Sequence, residues 1–395
     1  MTSSRGRLTV APLYLAGFTT AFGAHGVASV LGAESDDIGM SLLTFGAVLA
    51  LYDVAEVFLK PVFGVLSDRI GVKPVILGGL VAFAAASAVA LFFASPLALA
   101  LVRLGQGAAA SAFSPSSSAA VARLAGDELL GRYFGRYGAW KSMGYMLGPI
   151  LGIWLAYAFG LQAVYGVLVI LALVAAIAVA VGVPHLAPLP KKRATVRDLA
   201  AQLIDRSFLI PTLTLATSTA ILGVAVGFLP LLAVRLGLHP LVGAAAVALL
   251  ALASAVVQPL TGNARDRGRL HTGSGTAAGL AIAAVALVLL ALAPNVITLF
   301  VAAVGIGLML GVVTPLAFAH LAASTPPDRM GRTMGSAELG RELGDAAGPL
   351  VVGGVATVAG VPFGLGILAV LTAGMGATAW RMLRHPSSET ATPAR

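Results

Sequence analysis

The stretch Lys60-Pro-Val-Phe-Gly-Val-Leu-Ser-Asp-Arg-Ile-Gly-Val-Lys73 decides how the chain is read. It lies between two apolar runs, each long enough to cross a bilayer, so it reads as the short polar turn of a membrane hairpin. A weaker copy follows 198 residues later: Pro61, Gly64, Asp68 and Arg69 are matched by Pro259, Gly262, Asp266 and Arg267. A turn that recurs once per half implies an internally duplicated chain.

Composition agrees. The 395 residues are 58% hydrophobic and only 10% charged, where a soluble chain carries about a quarter charged residues. Twelve apolar spans are expected, at roughly 8–32, 41–64, 74–94, 97–122, 137–158, 161–183, 209–233, 238–261, 272–293, 295–322, 336–358 and 361–380. The run from Leu8 to Ala33 follows Arg5 and Arg7 but is too long for the core of a signal peptide, so it counts as the first span. There is no cysteine, which excludes disulfides and thiolate chemistry. The six histidines are isolated in sequence and no Walker-type phosphate loop occurs, so neither a metal, a cofactor nor bound ATP is expected.

The net charge of +9 describes topology rather than nucleic-acid binding. Four of the 25 Lys and Arg residues fall inside spans: Lys60, Arg103, Lys141 and Arg341. With the N-terminus inside, all the others except Arg235 lie on one side. This positive-inside pattern places both termini in the cytoplasm of a multi-pass plasma-membrane (inner-membrane) protein. One polar segment, 184–208, separates six spans in 1–183 from six in 209–395. Within it, Asp198 to Asp205 could form an interfacial helix. The halves also repeat at an offset of 200. Gly105, Gly107, Pro115, Gly131, Arg132, Gly135, Gly144, Gly148 and Pro149 recur as the same residue types at 305 to 349. Eight of those nine are Gly or Pro, so backbone geometry is what has been repeated.

Gly64, Leu66, Asp68, Arg69, Gly71 and Lys73 fill the pattern G-x-L-x-D-R-x-G-x-[KR], which resembles the loop signature of the major facilitator superfamily. Arg103-x-x-Gln106-Gly107 is similar to that family's fourth-span element. Gly144-x-x-x-Gly148-Pro149-x-x-Gly152 resembles the element of its proton-coupled exporters, with Ile153 where that pattern carries a second Gly. The resemblance implies an all-α polytopic membrane protein: twelve transmembrane helices in two pseudo-symmetric six-helix bundles around a midplane cavity. It implies a monomeric secondary transporter working by alternating access, with protons and a small-molecule substrate as partners. The leading expectation is proton-coupled antiport exporting hydrophobic or amphipathic compounds, a multidrug-efflux type of activity. The alternatives are uptake of a small organic solute and, more remotely, an integral-membrane enzyme or lipid-handling protein.

Ionisable residues inside spans are costly and mark function. On the second helix Asp53, Glu56 and Lys60 share a face, at spacings of three and four residues; on the eleventh, Glu338, Arg341, Glu342 and Asp345 form a second ladder. The resemblance implies that these helices meet. The expected gate sets Lys60 against Glu338 or Glu342, and Arg341 against Glu56; the alternative is a static set of pairs. The resemblance also brings Asp68 to the N-terminus of the eleventh helix, where the helix dipole favours an anion. Asp53 lies about 16 Å from Gly64 along the helix. It is the expected proton carrier because burial disfavours its charged form; a structural pair with Arg103 or Arg341 stays open. By resemblance Arg103 senses or releases the proton. Glu56 and Asp345 complete the proton-coupling candidates. Lys141 either neutralises the ladder or meets an anionic substrate. His25, Tyr52, Tyr145 and Phe228 are candidate cavity residues, and Gly144, Gly148, Pro149, Gly152, Gly348 and Pro349 are candidate bends.

Overall fold

A computed structural model describes residues 3–33, 40–188 and 204–383. These form twelve long helices. In chain order they are α1 (Ser3–Ala33), α2 (Leu42–Ile70), α3 (Val72–Val89), α4 (Pro96–Ala125), α5 (Leu130–Phe159) and α6 (Leu161–Gly182). The second half contains α7 (Arg206–Arg235), α8 (Pro240–Asp266), α9 (Thr272–Leu292), α10 (Val296–Ser324), α11 (Met330–Ala359) and α12 (Val361–Met382). The expected interfacial helix at 198–205 lies largely outside the described residues.

Nine of these helices are long and apolar enough to span a membrane. The others are α1, α2 and α11. The last two carry the charged ladders.

One expectation needs correction. The polar stretch after Gly64 is not a loop: α2 continues as helix through Asp68 to Ile70, and only Gly71 turns the chain. Nothing in Val65–Ile70 breaks a helix. Gly71 has φ +97°, a conformation that favours glycine. Similarly, α5 already begins at Leu130 and α8 runs on to Asp266. The helices therefore project together at one end of the molecule, called here the motif end.

Within each half the helices pack through close backbone approaches. On α5, Gly144 lies against the Phe18 carbonyl of α1; on α11, Gly344 lies against the Ala216 carbonyl of α7. An added Cβ would collide at both, which explains why glycine recurs at the offset of 200. Gly148 and Gly152 likewise seat α5 on α1, and Gly348 seats α11 on α7. Both helices continue unbroken past Pro149 and Pro349. One apolar core cluster fills the first half and reaches across to α10 and α11; a second fills the remaining half.

Candidate functional site

Two seams join the halves, α2 against α11 and α5 against α8. On each, a helix-end aspartate of one half caps a helix of the other. Asp68 accepts hydrogen bonds from the backbone N–H groups of Gly331 (2.7 Å) and Arg332 (2.8 Å) at the start of α11. Asp266 accepts the same pair from Gly131 (2.8 Å) and Arg132 (2.6 Å) at the start of α5. Such N–H groups have no partner inside their own helix, and the helix dipole favours an anion there. Asp266 in this role went unrecognised in the sequence; its signal was the repeat at 198.

Gly64 also packs across this seam, on Gly331 and Gly335, whereas Lys73 stays within the first half. Lys73 donates to the carbonyls of Ala180 (2.8 Å) and Val183 (2.7 Å) at the end of α6, and Arg69 is exposed.

Deeper in, the α2/α11 seam is ionic. Lys60 is 2% exposed and is held by Glu56 (3.0 Å) on its own helix and by Glu342 (2.5 Å) across the seam. Glu338, fully buried, lies within reach of three cations: Arg341 at 3.2 Å, Lys141 at 3.8 Å and Lys60 at 3.9 Å. The Ser118 hydroxyl donates to Glu338 at 3.3 Å. Both expected partners of Lys60 are thus present. The expected pair of Arg341 with Glu56 is not formed. Arg341 turns to Glu338, one turn away on its own helix, and Lys60 takes Glu56. Desolvated charges need close pairing; three carboxylates and three cations here offset one another in charge, with Glu56 Oε1 and Arg341 Nε left without hydrogen-bond partners.

The α5/α8 seam is the neutral counterpart. Gln258 donates from Nε2 to Ser142 (2.8 Å) across the seam and to Ser254 (2.9 Å) on its own helix. The two hydroxyls are 3.1 Å apart. At the repeat offsets, Gln258 corresponds to Lys60, Ser254 to Glu56 and Ser142 to Glu342. Gly138 corresponds to Glu338, and the Gln258 amide occupies the space a side chain at 138 would need. The same three-residue grip is therefore built twice, once from charges and once from an amide and two hydroxyls.

Two chambers sit beside these seams. The charged chamber, of about 170 Å³, is lined by Tyr52, Asp53, Glu56, Arg103, Glu342 and Asp345, among others. Among the described residues, Asp53 and Asp345 form no ion pair, so neither alternative partner of Asp53 is realised. Arg103, 2% exposed, lies 4.3 Å over the Tyr52 ring, and its Nε and Nη1 have no hydrogen-bond partner. The aromatic chamber, of about 280 Å³, is lined by Phe134, Tyr137, Tyr145, Leu250 and Phe318 together with Ser142, Ser254 and Gln258. His25, Lys141, Tyr145 and Arg341 border both, with His25 packed edge-on against Tyr145 at 4.5 Å. Phe228 lines neither and packs against the second half's core. The threonines and serines of α7 mostly bond back to their own helix, as with Thr214 and Ser218.

The hydrogen bonds and ion pairs described above between the halves run from this level to the motif end. Phe134 and Phe318 add a stacked pair across the halves at 5.5 Å. The structure is sealed at the motif end.

A family model described as Major Facilitator Superfamily matches residues 13–293 and 275–395. The chain is 35% identical over 140 residues to the inner membrane transport protein YajR of Escherichia coli, covering 34% of this chain and 29% of that one. It is 32% identical over 124 residues to a multidrug resistance protein B homolog of Mycobacterium tuberculosis, covering 31% and 23%. The matched stretches thus span less than a third of these two relatives. Among solved structures, the human organic anion transporter MFSD10 superposes with TM-score 0.79 at 20% identity, covering 96% of this chain and 99% of that one. The E. coli fucose:proton symporter FucP superposes with TM-score 0.79 at 15% identity, covering 95% and 98%.

Proposed function

Since the chain belongs to the major facilitator superfamily, we propose that it is a proton-coupled antiporter exporting hydrophobic or amphipathic small molecules by alternating access. One observation carries this reading: Asp53 and Asp345, from opposite halves, open unpaired on one chamber beside the ionic grip of Lys60. Nine ionisable groups lie within the spans, five acidic and four basic, so the fully ionised set has one negative charge left over. One proton neutralises it, and so does one positive charge on a substrate. Proton entry at Asp53 or Asp345 then weakens the demand on Lys60, the Lys60–Glu342 contact is remade each cycle, and the two bundles rock.

The distribution of Lys and Arg supports placing the motif end in the cytoplasm, with both termini there and the protein in the plasma membrane. The sealed motif end is then the outward-facing state. The multidrug resistance names among the relatives support the export direction. A second reading, uptake of a small anionic solute, rests on the unpartnered nitrogens of Arg103. Lys141 and Arg341 give it less support, because both already face Glu338, although Arg341 Nε likewise has no hydrogen-bond partner.

The test is flux of ethidium, a fluorescent hydrophobic cation, in proteoliposomes under an imposed pH gradient. Gradient-driven movement that is lost in Asp53→Asn is the expected result. Movement that persists in Asp53→Asn with the same pH dependence removes Asp53 as the carrier and moves the role to Glu342 or Asp345.

A further inference from the structure

One cation within the spans stands outside both grips. Glu338 and Glu342 face Lys60, Lys141 and Arg341, whereas Arg103 forms no ion pair among the described residues. The groups acting on it most strongly are, in order, the phenols of Tyr52 on α2 and Tyr165 on α6, then Asp53 and Glu56, all in the first half. Gly107, one turn on along α4, lies against the Tyr52 carbonyl, and this close approach sets the Tyr52 ring 4.3 Å from the guanidinium. Arg103, Tyr52 and Tyr165 are each at most 2% exposed; Arg103 Nε and Nη1 and both phenol hydroxyls have no hydrogen-bond partner. Gln106, on the same face of α4, donates to Ser87 at 2.9 Å and leaves its Oε1 free.

The second half shows that packing alone does not need these polar groups. Gly307 lies against the Leu250 carbonyl as Gly107 lies against that of Tyr52, so Leu250 is the counterpart of Tyr52. At the offset of 200, Arg103, Gln106 and Tyr165 correspond to Ala303, Ile306 and Leu365, and all four counterparts sit in the apolar core. One place in the repeat is therefore hydrocarbon in the second half and a cation with two phenols in the first. Orphaned polar atoms in a native interior mark a water or an ion, and the donor count here favours an ion. Arg103 offers two N–H groups and the phenols two O–H groups, against one free amide oxygen. Water accepts two hydrogens but brings two more that need acceptors. An anion accepts from every donor and supplies the opposite charge that a buried guanidinium requires.

We propose that Arg103, Tyr52 and Tyr165 bind a small inorganic anion, chloride, inside the first half, as a resident counter-ion and not as cargo. Asp53 lines the charged chamber one residue after Tyr52, and its carboxylate competes with the anion for the same cation. The anion binds more tightly when Asp53 carries no charge, and then supplies the counter-charge that Asp53 has given up. This goes beyond the antiport reading: the site exists whether or not a substrate moves against protons.

The experiment reads equilibrium binding, not flux, so its failure is separable from failure of the antiport reading. Purified full-length protein in nanodiscs is held in sodium gluconate, which is replaced stepwise by chloride at constant ionic strength. Broadening of the chloride NMR line reports exchange with the site, and thermal unfolding reports the stabilisation that a bound ligand brings. The expected result is saturable broadening together with a rise in unfolding temperature. Arg103→Met abolishes both. Tyr165→Phe keeps the ring, removes one donor to an anion and weakens the affinity roughly 10-fold. Asp53→Asn removes the competing carboxylate and strengthens the affinity roughly 10-fold, the size expected of one like charge near a partly desolvated ion. A gain in one variant and a loss in another cannot both come from misfolding. No chloride dependence in the wild type overturns the proposal and leaves water to satisfy these groups. Chloride dependence that persists in Arg103→Met overturns it too, because that places the anion on the exposed arginines of the motif end. So does an affinity unchanged by Tyr165→Phe, or one unchanged or weakened by Asp53→Asn.

Discussion

Lys60 on α2 and Gln258 on α8 occupy equivalent places in the two halves, and each grips one residue four positions back on its own helix and one across the seam. The geometry is shared while the chemistry differs, so the two seams should respond to different perturbations.

Removing the charge at Lys60 should cost far more than removing the amide at Gln258. Lys60→Met strands the buried Glu56 and the half-buried Glu342 as unpaired carboxylates, a loss of about 3–5 kcal/mol. In Gln258→Met the two serines still bond each other, so the loss is nearer 1 kcal/mol. Thermal unfolding in detergent should rank the variants in that order. A second substitution, Glu342→Gln, should restore part of the Lys60→Met loss and none of the Gln258→Met loss.

The two aspartate caps should contribute separately. Asp68→Ala and Asp266→Ala each remove a helix N-terminal partner, worth about 1 kcal/mol. They act on different seams with no shared partner, so the double variant should show close to the sum of the two. The chain has no cysteine, so spin labels placed by Ile70→Cys and Arg329→Cys can report separation of the motif end directly. A double variant no more open than either single one contradicts this assignment.

Glycine pairing at the motif end should be indispensable where backbones touch and irrelevant elsewhere. A Cβ at Gly262 would meet the Gly131 carbonyl, and one at Gly64 would lie 2.5 Å from the Gly331 carbonyl. Gly262→Ala and Gly64→Ala should hold the motif end open in the spin-label experiment. Gly78→Ala, on α3 with open space around it, should leave the distance unchanged and stabilise its helix slightly, by up to about 1 kcal/mol.

Arg103 breaks no ion pair when it is replaced, because among the described residues it forms none. Arg103→Met should keep the unfolding temperature within a few degrees of wild type and lower gradient-driven flux at least about 10-fold. A large loss of stability with flux retained would reassign Arg103 to packing on Tyr52.

Much of this was legible in sequence because the signals were costly or repeated. Charges inside apolar spans stand out, so Asp53, Lys60, Glu338 and Glu342 were found at once, and the repeated glycines announced paired helices. The partner of Arg341 was not legible: Glu56 and Glu338 are equally good acceptors in a one-dimensional list. Only competition from Lys60 in three dimensions assigns one to each. The neutral grip was missed for a different reason. Ser142, Ser254 and Gln258 are ordinary residue types, visible only when the offsets of 198 and 200 are applied together to residues that carry no charge. The helical start of the polar motif is not legible from polarity, which marks solvent exposure rather than a loop; nothing between Val65 and Ile70 breaks a helix.

The glycine contacts at the motif end carry a consequence for timing. Dispersion between backbones in direct contact loses a quarter to a half of its strength across a gap of about 0.5–1 Å, and the hydrogen bonds from Gly331 and Gly131 end at similar separations. A motif end parted by about 1 Å has therefore lost up to half of that dispersion together with its capping hydrogen bonds, while the Lys60–Glu342 attraction falls off more slowly. Most of the resistance from the short-ranged contacts is met in the first ångström of travel. Under the proposed alternating-access antiport, short-ranged contacts of this kind favour a shut or a well-parted motif end over positions between them.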